Sequence, residues 1–361
     1  MIANGTIAKV ISAAILSVTI TAGAAEPTLS ARPTFTDEGV VHVPAFDLPP
    51  SVFMSKEAAD LLKMRAAFQM PAFSATGDIT QLRQGMEMVL ASSVRLMQDR
   101  YPVDILERKI AGIPTRVVTP KGGKIDARRV LINLHGGAFM MCADACALLE
   151  SLPIASTGGF KVISINYRQA PETTFPAASE DVAAVYRELL KTYKPKQIGM
   201  YGCSAGGALS AQVAAWLSTH GLPPPGALGI FGSGAVRFAA GDSAYLAGYI
   251  DGAFPPPQPE SPPPSPIRSY FEGADMNDPL VSPGAHLDVL AKFPPTLIIT
   301  GTRAPDLSPA IYTHSQLVKA GISGDLIVGE GLGHCYIYQA NLPESQDAYQ
   351  TIVKFFRKNL D

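Results

Sequence analysis

The run Met200-Tyr201-Gly202-Cys203-Ser204-Ala205-Gly206-Gly207 carries a serine between glycines at the spacing G-x-S-x-G, with a cysteine directly before it. The apolar stretch "QIGMYGCS" leads in, and "AGGALSAQVAAWLSTHG" follows, closed by Gly221 and Pro223. That order predicts strand, sharp turn and helix, which is the context in which the motif carries chemistry. The middle residue projects from a strained turn, and the flanking glycines keep neighbouring chains clear of it. The helix also directs its partial positive end toward the site. Ser204 is therefore the expected nucleophile. Cys203, one position earlier, is expected to pack as a small buried thiol.

A serine hydroxyl attacks only if a base takes its proton, and the base needs an acid to orient it. In the α/β-hydrolases, whose strand–turn–helix serine this run resembles, the order along the chain is serine, acid, histidine. The histidines beyond Ser204 are His220, His286, His314 and His334. His220 ends the helix after the motif, His314 lies in an amphipathic helix and His286 in a loop before "LDVLAKFPPT". His334, in "GEGLGHCYIY", follows the last apolar run in a glycine-rich loop and is the expected base. The loop after "TLIITGT" reads "RAPDLSP", and its Asp306 is the expected acid, with Asp278 in "ADMNDPLVSP" as the alternative. Upstream, "LHGGAF" offers backbone N–H groups that can approach a developing negative charge. Gly136, Gly137 and Ala205 are the expected donors of that oxyanion hole, with His135 as a structural residue.

These groups need a frame. "RVLINLHGG", "KVISINYRQ", "QIGMYGCS", "ALGIFGS", "TLIITGT" and "DLIVGEG" are short apolar runs mostly ended by glycine or a small polar residue, the texture of buried parallel strands. Helical periodicity fills the gaps between several of them: Val182, Val185, Tyr186, Leu189, Leu190 and Tyr193 recur at three and four residues, and Tyr349, Ile352, Val353 and Phe356 share one side of the last segment. Ser308 is the expected N-cap of "LSPAIYTHSQLVKAG", with Pro309 at its first position and Gly321 past its end. Strands alternating with amphipathic helices predict a doubly wound, mostly parallel α/β sheet. The proline-rich segment at about 235–268 cannot sit in a central strand and is expected to form an insertion over the strand ends.

With 361 residues, 47% of them hydrophobic and 17% charged, the chain can bury a large core. A formal net charge of −2 and the lack of a basic run argue against a nucleic-acid surface. Lys9, the uncharged stretch Val10–Ala25 and the small residues of "TAGAAEP" predict a cleaved export signal over residues 1–25, hence a periplasmic or secreted protein with no stable membrane insertion. Four cysteines, Cys142, Cys146, Cys203 and Cys335, are too few for a disulfide framework, although Cys142 and Cys146 are near enough to pair. No metal site is expected.

Taken in order, "HGGAF", "NYRQAPE", "FPAASED" and "GCSAGGALS" resemble the hormone-sensitive-lipase-like esterases, the bacterial family IV group, from about Arg116 to the C-terminus. The resemblance implies an α/β-hydrolase core over 116–361, a cap built from the N-terminal region 26–115 and the insertion, and no cofactor. It implies hydrolysis of short- to medium-chain carboxylic esters through an acyl-enzyme, with Ser204, an aspartate and His334 as triad and Gly136, Gly137 and Ala205 as hole. A small-molecule ester is the implied partner, and a homodimer is left open. Three positions depart from the pattern. Cys203 replaces the usual aspartate before the serine, Ala138 replaces a third glycine, and the usual acid position falls on Ala304, two residues before Asp306. Either that loop presents Asp306, or the triad is weakened. An amidase or peptidase with the same triad, and a catalytically silent binding protein of this fold, are the alternatives.

Overall fold

The computed structural model describes residues 32–65, 78–238, 240–251 and 269–361. The expected export signal at 1–25 and the second half of the expected insertion, 252–268, lie outside the described residues. The chain divides into two compact units. In the first, which ends at Pro49, Thr34–Phe35 (β1) pairs antiparallel with Val41–His42 (β2).

The second unit holds the residues expected to form the site. It opens with α1 (Lys56–Arg65) and α2 (Ile79–Arg100), the latter started by the Asp78 side chain accepting from the Thr80 amide. Ile79, Leu82, Met86, Leu90, Val94 and Met97 recur at helical spacing along α2 and face the core. An antiparallel pair follows, β3 (Val103–Ile110) and β4 (Ile113–Pro120). Residues 103–115 were expected in a cap region, yet β3 and the start of β4 extend the main sheet. The cause of the difference is β3 itself: as an edge strand it is mostly exposed and reads "VDILERKI", without the continuous apolar run that flags a buried strand.

The six apolar runs are six strands: β5 (Val130–Leu134), β6 (Lys161–Ile165), β7 (Ile198–Cys203), β8 (Ala227–Phe231), β9 (Thr296–Gly301) and β10 (Gly324–Gly329). They join β3 and β4 in an eight-stranded sheet of order β10-β9-β8-β7-β5-β6-β4-β3, parallel from β10 through β6. Its central strands β5, β7 and β8 are buried along their whole length. Helices α3 (Ala145–Gly158), α4 (Ala177–Leu189), α5 (Ala205–Thr219), short α6 (Asp242–Tyr245), α7 (Ala247–Asp251) and α8 (Leu287–Leu290), then α9 (Leu307–Lys319) and α10 (Pro343–Asn359), also belong to this unit. Val182, Val185, Tyr186 and Leu189 of α4, and Tyr349, Ile352, Val353 and Phe356 of α10, are buried, as their spacing predicts.

One helix start differs from expectation. Ser308 is not the N-cap of α9: Asp306 holds that position and the helix begins at Leu307, so Ser308 and Pro309 are its second and third residues. The Ser308 hydroxyl accepts from the Ser243 amide while its own amide donates to the Ser243 hydroxyl. That reciprocal pair fastens α9 to α6, inside the expected insertion.

Candidate active site

Ser204 sits where β7 gives way to α5, at φ 59° and ψ −122°, a conformation rare for a residue with a side chain. The turn is that tight because the chains around it nearly touch. A Cβ on Gly206 would lie 1.7 Å from the Leu134 carbonyl oxygen, and one on Gly202 would lie 2.1 Å from the same atom. No other residue type fits at either position, which is the physical content of the G-x-S-x-G spacing.

His334, in the loop after β10, brings Nε2 to 3.0 Å from Ser204 Oγ. Its Nδ1 lies 2.6 Å from Asp306 Oδ1, and the other carboxylate oxygen accepts from the Thr300 hydroxyl at 2.6 Å. Asp306 is fully buried at the start of α9, and its side chain makes no capping hydrogen bond to that helix. The three side chains expected as a triad thus stand in one hydrogen-bonded line, supplied by the carboxyl ends of β7, β9 and β10. Asp278 is elsewhere, its carboxylate accepting from the Leu280 amide in a turn. His220 stacks on Trp216, His286 meets the Asn277 carbonyl and His314 the Gly324 carbonyl, so each has a local structural partner.

The loop after β5 turns sharply, with positive φ at Gly137, Ala138 and Phe139. Of the expected hole donors, Gly136 is a correction: its amide is donated to Glu150 Oε1 at 2.8 Å and is not free to meet a substrate oxygen. Among the described residues, no hydrogen bond from the Gly137, Ala138 or Ala205 amides to another group is seen. Ala138, at the place of the missing third glycine, therefore joins the candidates. His135 is fully buried, stacked on Tyr167 at 4.4 Å and 11°. Its Nδ1 donates to the Gly136 carbonyl at 2.7 Å, which leaves Nε2 to accept from the Gln169 amide at 3.3 Å. Burial pulls its pKa down to about 4, so it stays neutral and holds the loop. The "NYRQAPE" and "FPAASED" segments are joined by Arg168, which donates to the buried Asp181.

The local pair left open for Cys142 and Cys146 is present, whereas the expectation for Cys203 changes. Cys203 is not a free thiol: it is bonded to Cys335, 132 residues away, and Cys142 is bonded to Cys146. The long-range bond joins the residue before Ser204 to the residue after His334. Gly232 makes room for it, since a Cβ there would lie 2.7 Å from Cys335 Sγ and 3.2 Å from His334 Cε1. Replacing both Cys203 and Cys335 by alanine is expected to lower stability by about 2–5 kcal/mol, because the unfolded chain loses a long closed loop. Urea unfolding with and without reductant measures it, and a variant as stable as the parent would contradict the expectation. Thr300 and Phe238 were also missed; the Phe238 ring stands edge-on to His334 at 5.4 Å.

Residues 131–338 match the model of the alpha/beta hydrolase fold family. The chain is 29% identical over 235 residues to an acetyl-hydrolase of Streptomyces hygroscopicus, covering 63% of this chain and 75% of that protein. It is 28% identical over 246 residues to the carboxylesterase/phospholipase LipF of Mycobacterium tuberculosis, covering 64% of this chain and 62% of that one. Among solved structures it is similar to esterase E25, with a TM-score of 0.75, 27% identity and coverage of 89% and 99% of the two chains. It is also similar to an esterase of the bacterial hormone-sensitive lipase family, with a TM-score of 0.71, 27% identity and coverage of 84% and 97%.

Proposed function

The chain belongs to the α/β-hydrolase fold family, as a hormone-sensitive-lipase-like carboxylic ester hydrolase, and from that premise we propose that it cleaves short- to medium-chain esters with Ser204, His334 and Asp306 as its triad. The observation that carries the reading is the unbroken line from Asp306 through His334 to Ser204, with spacings of 2.6 and 3.0 Å.

His334 Nε2 takes the proton of Ser204 as Oγ bonds to the ester carbonyl carbon. The carbonyl electron pair moves onto oxygen, where the Gly137, Ala138 and Ala205 amides receive it, with α5 directing its N-terminal end the same way. Asp306, held by Thr300, steadies the imidazolium. The tetrahedral adduct collapses, its C–O bond breaks, and the imidazolium protonates the departing alkoxide. Water then attacks the acyl-Ser204 ester with His334 as base, releasing the acid and restoring the hydroxyl. The Asp306–His334 contact supports catalysis over a silent binding role. The Phe238 ring beside His334 supports a cap made in part by the segment from Ala235 onward. Two disulfides support export to an oxidising compartment.

Aryl esters of increasing acyl length, offered beside the matching anilides, test the reading. The expected result is turnover of acetyl to medium acyl esters, slow turnover of anilides, and an acyl mass increment on the peptide bearing Ser204. Faster cleavage of anilides would move the assignment to an amidase, and the absence of both turnover and adduct would overturn it.

A further inference from the structure

Resting on that reading of the site, we propose that Glu150 is a positioning residue whose carboxylate holds the oxyanion loop, the nucleophile turn and the histidine loop in mutual register. It lies on α3, is 2% exposed and takes no part in the mechanism above. Each of its oxygens accepts two hydrogen bonds. Oε1 receives the Gly136 amide at 2.8 Å and the Tyr338 hydroxyl at 2.6 Å. Oε2 receives the Asn133 side-chain amide at 2.8 Å and the Cys203 amide at 3.2 Å. Gly136 opens the hole loop, Cys203 precedes the nucleophile, and Tyr338 lies four residues beyond His334. One carboxylate thus touches all three loops that converge on the substrate.

The donors are themselves fixed. Asn133 Oδ1 accepts from the Ser164 hydroxyl at 2.7 Å, which directs the Asn133 amide protons at Glu150. The Tyr201 hydroxyl donates to the Glu150 main-chain carbonyl at 3.1 Å, anchoring α3 to β7. Nothing in this arrangement suits an apolar or half-satisfied side chain. A buried carboxylate facing four donors is an acceptor-only part, and it works only when ionised.

That requirement gives the role a signature that bulk packing lacks. Burial raises the Glu150 pKa to about 7, against the lowering pull of its four donors. The titratable groups nearest it are the phenols of Tyr167, Tyr201 and Tyr338, all pushed well up by burial, and His135, kept neutral. None of these gains or loses charge between pH 5 and 8. Because the folded pKa lies above the unfolded one, the fold binds the proton more tightly. Acidification from pH 7 toward 5 therefore does not destabilise the protein through this group. It does put a proton among four donors and loosen the loops. Activity and stability should part company in that window.

Glu150→Gln is isosteric, but its NH2 group must confront two donors. The expected result is a fall in kcat of about 10- to 100-fold, the scale of a sub-ångström to ångström misalignment, with KM changed less than about twofold. The acid limb of the kcat profile should also become shallower by one proton than in the parent. An unchanged kcat, a loss confined to KM, or an identical acid limb would overturn the proposal. If Glu150→Gln does not fold by circular dichroism, Tyr338→Phe decides, because it deletes one donor and leaves the carboxylate. A kcat reduced with its KM unchanged sustains the role, and a parental kcat ends it. Acylation of Ser204 in the parent protein separates the two readings. If Ser204 is acylated and both variants keep the parental kcat, only the Glu150 role fails; if Ser204 is not acylated, the triad reading fails by itself.

Discussion

Ser204→Ala is expected to reduce kcat on an aryl acetate by about 10⁶-fold while leaving the fold and KM nearly unchanged. The argument is chemical before it is structural. In the proposed mechanism alanine removes the oxygen that forms the acyl bond, and the hole and the imidazole remain with nothing to act on except bound water. A residual rate of about 10³- to 10⁴-fold over solution should persist, since the amides still stabilise charge on a bound ester. The change is small sterically, because Ser204 Cβ is kept and its strained φ is set by the tight chains around Gly202 and Gly206 rather than by the hydroxyl. Steady-state assay of purified protein, with thermal unfolding as control, measures it. Parental turnover in the variant would remove Ser204 from the chemistry.

The second large effect is expected at Asp306. Asp306→Asn should lower kcat about 10³- to 10⁴-fold, whereas Asp278→Asn should leave it within about twofold. The asparagine keeps the size and one acceptor, but it removes the negative charge that steadies the imidazolium. It also lets an NH2 group face His334 Nδ1, which favours the tautomer unable to accept from Ser204. Thr300 can rotate its hydroxyl to meet either end of the amide, so the fold should survive. Parallel kcat measurements on the two variants distinguish the carboxylates. Equal losses, or loss only at Asp278, would contradict the line of contacts from Asp306 to Ser204.

The contrast between these aspartates shows where sequence reasoning stopped. Counting along the motif put the acid position at Ala304 and left Asp306 displaced by two residues. In the fold, the loop after β9 makes hydrogen-bonded turns, with Ala304 donating to Gly301 and Leu307 to Ala304, and Asp306 arrives beside His334. Spacing in a chain cannot register such a turn. The six core strands were legible because burial on both faces writes a continuous apolar run, and the helices because one face writes a 3.6-residue period. The edge strand β3 was not, since exposure erases its pattern. Gly136 was assigned to the hole from its place in a motif, yet a backbone amide's partner depends on what packs behind it, here a carboxylate from α3. The Cys203–Cys335 bond was within reach of the sequence. Once Ser204 and His334 are taken to touch, the cysteine beside each must also come close.

That bond also bears on which cysteines can pair. Cys142, Cys146 and Cys203 all precede Cys335 by at least 132 residues, and four cysteines permit three pairings. The bond between Cys142 and Cys146, only four residues apart, can close early and withdraw two competing thiols. Cys203 is then left single until folding brings Cys335 to it. With Cys142 and Cys146 joined to each other, Cys203 and Cys335 have only one another as partners within the chain.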